Sequence, residues 1–79
     1  METTGYFDNE VLRKRPYIKL EWCKKALINP EQTEIQPNCR VRYWIYIDEL
    51  GKYLRVVTLK DGKTVHNAFP DRNFKGEKS

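Results

Sequence analysis

Histidine and cysteine, the side chains that usually hold metals, are scarce in this chain. Among its 79 residues there is a single histidine, His66, and only two cysteines, Cys23 and Cys39. The cysteine spacing fits neither a zinc site nor a disulfide framework, and the carboxylates are scattered, so no metal and no cofactor is expected. The four glycines form no run. "DGK" at 61–63 therefore lacks the glycine-rich stretch of a phosphate-cradling loop and reads as a solvated turn. No apolar run approaches the ~18 residues of a membrane-spanning helix, so no membrane partner is expected. "METTGYFDNE" has neither the basic start nor the apolar stretch of a secretory signal. Together these absences point to the cytoplasm, with both thiols reduced.

Aromatic residues and positive charge are plentiful. Aromatics make up 13% of the chain, with two Trp and five Tyr, and the net charge is +4. A positive field favours polyanions such as nucleic acid, or an acidic protein. The length allows one domain, 1–79, with a thin core. Residues 1–7 and 73–79 are expected to be flexible.

Local patterns give the element order. Asp8 can cap a short helix that buries Val11 and Leu12, with Phe7 as a staple and "RKR" (13–15) at its negative end. Pro16 suits the first turn of a second helix through "YIKLEWCKKALIN". Its apolar stripe is Ile18, Trp22 and Ala26, widened by Leu20, Cys23 and Leu27. Pro30 closes it. Four strands follow: "QTEIQ" (32–36), "RVRYWIYI" (40–47), "KYLRVVTLK" (52–60) and "KTVHNAF" (63–69). The expected fold is α+β: two N-terminal helices packed on one face of a four-stranded antiparallel β-meander.

Loop lengths set the register. A four-residue loop, "DELG" (48–51), places Tyr46 opposite Tyr53 and Trp44 opposite Arg55. Asp61-Gly62, read as a two-residue type I′ turn, places Val57 opposite His66, Val56 opposite Asn67 and Arg55 opposite Ala68. A three-residue loop, Pro37–Cys39, sets Glu34 opposite Arg42 and directs Ile35 to the core. One face then collects Val41, Tyr43, Ile45, Ile47, Leu54, Val56, Thr58, Val65, Asn67 and Phe69, and should meet the helices. The other collects Arg40, Arg42, Trp44, Tyr46, Tyr53, Arg55, Val57, Leu59, His66 and Ala68.

That second face has three readings. Arginine forks bind phosphate, Tyr and Trp stack on unpaired bases at ~1–3 kcal/mol each, and His transfers protons near neutral pH, so single-stranded RNA would meet all three kinds of group. Protein interfaces, a homodimer included, also favour Tyr, Trp and Arg. Cross-strand aromatic and Arg–aromatic pairs also stabilise a sheet, at ~0.2–1 kcal/mol each.

The run "KRPYIKLEWCKKALINPEQ", then "RVRYWIYI", then "GKYLRVVTLKDGKTVHNAF" resembles a family of small bacterial proteins, the BrnT-like domains of the RelE/ParE toxin superfamily. The resemblance covers roughly residues 11–70, and "GKYLRVV" is its most specific element. It implies two helices on an antiparallel sheet and a type II toxin that cleaves mRNA or otherwise inhibits growth, with RNA, free or on the ribosome, as the partner. A neighbouring gene would encode the antitoxin partner. It also implies a metal-independent endoribonuclease mechanism, in which cations on the sheet help a 2′-hydroxyl attack the adjacent phosphate. Carried over, the resemblance assigns Arg55 and Arg42 to phosphate stabilisation and His66 to acid–base work. Arg40 and Arg72 would join the RNA contact, with Trp44, Tyr46 and Tyr53 stacking bases. The chain departs from the pattern at "NCR" (38–40), where a glycine turn is expected, and in that no N-terminal strand is expected from its sequence.

Overall fold

The computed structural model describes residues 1–74. The fold is α+β, with two helices on one face of a five-stranded mixed sheet. β1 is Glu2–Thr3. The first helix, α1, joins a π-helical turn, Phe7–Val11, to an α-helical turn, Leu12–Lys14. α2 is Leu20–Ile28. Four strands follow: β2 (Gln32–Ile35), β3 (Val41–Ile47), β4 (Lys52–Thr58) and β5 (Thr64–Pro70). The sheet order is β1-β5-β4-β3-β2.

The fifth strand corrects the four-stranded, wholly antiparallel expectation and supplies the N-terminal strand that the sequence was not expected to have. β1 pairs in parallel with β5, Glu2 opposite Thr64 and Thr3 opposite Val65. Two residues cannot announce a strand by alternation, and this one is held by a partner more than 60 positions away. The helix after it is capped by Thr4, not Asp8. Thr4 Oγ1 accepts the Phe7 amide at 3.1 Å, whereas Asp8 accepts from the Thr3 hydroxyl at 2.7 Å. α2 begins at Leu20, later than Pro16 suggested. Residues 15–18 form a turn instead, with Ile18 N donating to Arg15 O at 3.1 Å.

Between β3 and β4 the expected register holds throughout, including Trp44 opposite Arg55 and Tyr46 opposite Tyr53. The Pro37–Cys39 loop also forms, closed by Gln36 N to Arg40 O at 2.8 Å, and Glu34 sits opposite Arg42. Cys39 takes the left-handed conformation, φ 69°, that a three-residue hairpin loop requires. Ile35 lies on the helix side, as expected, but no helix reaches it. It is 75% exposed.

β5 departs from the expected scheme. Thr58 faces Val65 as the loop count requires, but Val57 faces Asn67, with His66 as the extra residue of a β-bulge. Beyond the bulge every side chain changes sides. Ala68 enters the core fully buried, and Phe69 moves opposite Arg55. The turn before β5 is a four-residue loop, not a type I′ pair. Leu59 N meets Thr64 O at 2.9 Å, and only Gly62 has positive φ, at 70°. A Cβ on Gly62 would also stand 3.1 Å from the Tyr43 hydroxyl.

The core lies between the helices and the sheet. Phe7, Val11, Ile18, Trp22, Cys23 and Ala26 meet Ile47, Leu54, Val56, Val65 and Ala68. Among the described residues no helix is long and apolar enough to cross a membrane. The expectation for 73–79 falls mostly outside the described residues. Asn73 and Phe74 are described; of these, Phe74 stacks on Trp44, whereas Asn73 is exposed and donates its backbone amide to Asp71.

Candidate functional site

Strand parity carries Arg40, Arg42, Arg55 and His66 to the sheet face away from the helices. They line one open cleft of about 330 Å³, with Tyr6, Gln36, Asn38, Val57, Asn67 and Phe69. The bulge is why His66, Asn67 and Phe69 share this side.

The three arginines differ in what they already hold. Arg55 is committed: its Nε and Nη2 donate to Asp71 Oδ2 at 3.0 and 2.6 Å. Its guanidinium also lies 4.9 Å from the Phe69 ring centre and 5.6 Å from that of Trp44. Asp71 is only 7% exposed. Burial pushes its carboxyl up, but hydrogen bonds from Trp44, Arg55 and the Asn73 amide, with the charge of Arg55, outweigh it and hold the pKa below the ordinary 3.8. Arg42 pairs with Glu34 at 2.8 Å. In the amide orientation that satisfies both groups, Gln36 also accepts from Arg42 Nη2 at 2.6 Å. That pair is half-exposed and costs little to exchange, ~0–1 kcal/mol. Arg40 forms no ion pair among the described residues.

His66 is fixed by groups from the chain's start. Its Nδ1 lies 3.0 Å from Thr4 Oγ1, and its ring stacks on Tyr6 at 4.8 Å. Partial burial and then the charge of Arg40 lower its pKa below 6.5, so the ring is neutral at pH 7. The Thr4 contact fits either tautomer of the ring; in the one that donates Nδ1–H to Thr4 Oγ1, Nε2 is the nitrogen that can take a proton.

The aromatic row beside the cleft is partly occupied. Phe74 stacks on Trp44 at 4.7 Å and 9°, and meets Tyr53 edge-on at 4.9 Å. Trp44, expected to be open for stacking, is 4% exposed and donates Nε1–H to Asp71 Oδ2 at 3.0 Å. Tyr53 packs edge-on against Tyr46 at 5.3 Å, and its hydroxyl reaches Glu31 at 3.4 Å. Tyr46 is 45% exposed. Arg72 is exposed on the turn after β5 and does not line the cleft.

Sequence reasoning thus brought Arg40, Arg42, Arg55 and His66 to one place and the aromatics to its flank. It missed Thr4, Tyr6, Asp71 and Phe74. The one local signal was Asp71-Arg72-Asn73, an Asx-turn pattern realised as Asn73 N donating to Asp71 Oδ1 at 3.1 Å. Among the described residues no three His, Cys, Asp or Glu side chains gather as metal ligands. Comparison with protein-family models, with curated proteins and with solved structures gave no match.

Proposed function

We propose that this chain is a RelE/ParE-like bacterial toxin, cytoplasmic and held in check by an antitoxin from an adjacent gene, and that its cleft binds and cuts single-stranded RNA without a metal. One observation carries the reading. Arg40, an arginine without an ion-pair partner among the described residues, shares the cleft with a neutral histidine whose pKa it lowers. A phosphodiester held by Arg40, with Arg42 beside it, would place a 2′-hydroxyl near His66. Nε2 takes the 2′-proton as the oxygen bonds to phosphorus. The P–O5′ bond breaks, the leaving oxygen is protonated from solvent, and a 2′,3′-cyclic phosphate and a 5′-hydroxyl result. Arg40 neutralises the charge on the phosphorane. Arg55 supports this arrangement less directly than the family resemblance implies, because the Nε–Nη2 edge of its fork already holds Asp71.

The test is incubation of the protein with single-stranded RNA in chelator. Cyclic-phosphate ends are expected, with a loss of about 10²-fold in His66→Ala and in Arg40→Ala. A base needs its neutral form, so the rate should be level above pH 6.5 and fall as pH drops through the lowered pKa of His66. That dependence should vanish in His66→Ala. A second reading keeps the same face as a non-catalytic RNA- or protein-binding module, homodimer included, and draws on the occupation of Arg55 and Trp44 by Asp71 and Phe74. Binding without cleavage selects it. Cleavage unchanged in both variants refutes the site.

A further inference from the structure

The segment Asp71–Phe74 lies across the far face as a strap, and its two anchors have the chemistry of a nucleotide. Three N–H donors converge on one Asp71 oxygen, Oδ2: Arg55 Nε at 3.0 Å, Arg55 Nη2 at 2.6 Å and Trp44 Nε1 at 3.0 Å. A phosphate oxygen satisfies the same planar set. Phe74 lies nearly parallel to the Trp44 ring and edge-on to Tyr53, the placement a flat base takes in a stacking slot. The strap returns along β4 through Asp71 N to Tyr53 O at 2.9 Å. Phe74 itself is only half-buried, so its ring leaves the slot without opening the helix-side core.

We infer that the Trp44–Tyr53–Arg55 slot is a second nucleotide subsite, filled in the free protein by Asp71 in the place of a phosphate and Phe74 in the place of a base. Arg55 belongs both to this slot and to the cleft of Arg40 and His66. One strand of RNA can therefore run from the cleft into the slot once the strap lifts. The inference rests on the proposed RNA reading and adds to it a resident competitor. A ligand that must displace the strap binds more weakly by the fraction of molecules in which the slot is open. Removing the Phe74 ring should accordingly strengthen binding, the reverse of what losing an RNA-contacting aromatic would do.

The experiment is fluorescence anisotropy of a short labelled oligoadenylate with the full chain, at low salt. Phe74→Ala is expected to bind about fivefold tighter or better, and adding Trp44→Ala should abolish the gain. Phe74→Leu, which keeps apolar cover, provides the same comparison if the alanine variant melts early; a smaller gain is expected from it. Wild type binding as tightly as Phe74→Ala and Phe74→Leu, or more tightly, overturns the strap inference and leaves the cleft reading standing. No binding by wild type or either variant overturns both.

Discussion

Replacing Asp71 with alanine removes the acceptor on which Arg55 and Trp44 converge, and the structure sets the size of the loss. The Asp71 side chain is 6% exposed and that of Arg55 24%. Breaking a fully buried ion pair costs ~3–5 kcal/mol, mostly because the remaining charge stays unsolvated. Here water reaches part of the guanidinium, and two aromatic rings still face it, so the loss should be about 2–3 kcal/mol, including the orphaned indole N–H. For a domain of this size that is a fall of roughly 10–20 °C in Tm. Asp71→Asn keeps an acceptor oxygen and drops the charge, and should cost about half as much. The pH dependence follows from the depressed pKa. The native state binds the Asp71 proton less tightly than the unfolded chain does, so the contribution is complete above the ordinary 3.8 and is lost as pH falls through the lower native value. Thermal melts from neutral pH downward, followed by Trp fluorescence, test this. Asp71→Ala within about 0.5 kcal/mol of wild type at neutral pH would show that the strap is not anchored by this pair.

Two further predictions concern the edges of the fold. Ile35→Lys should leave stability within about 0.5 kcal/mol, since Ile35 is 75% exposed; a loss of ~2 kcal/mol or more in denaturant titration would mean the residue is covered in solution. Cys39 is exposed, whereas Cys23 is fully buried and its burial pushes the thiol up to about 12. Native alkylation followed by mass mapping should therefore modify Cys39 alone, with Cys23 reacting only after unfolding; early reaction at Cys23 would contradict the packing of α2 on the sheet.

Much of the sheet was legible because its determinants are local. The four residues 48–51 fix β3 on β4, and Pro37–Cys39 fix β2 on β3, so alternation carries the sides along each strand. The cleft was legible for the same reason: Arg40, Arg42 and Arg55 share a parity that short loops preserve. The helix stripe was legible in Trp22 and Ala26, both buried, although Leu20 on the same helix is 48% exposed and Ile18, also buried, lies in the turn before it.

Other features depend on partners distant in the chain. By itself the sequence determined the α+β order, the pairing of β2 through β4 and the gathering of arginines on one side, since each follows from loop length and a period of two. Only the tertiary structure decided the bulge at His66, which puts the small Ala68 rather than Phe69 beneath the helices. It alone added β1 to the edge of β5, brought Thr4 and Tyr6 to His66, and closed Asp71 and Phe74 over Arg55 and Trp44. Those contacts join the two ends of the described chain to its middle, and no local pattern records which distant group will satisfy a buried charge or cover an aromatic ring.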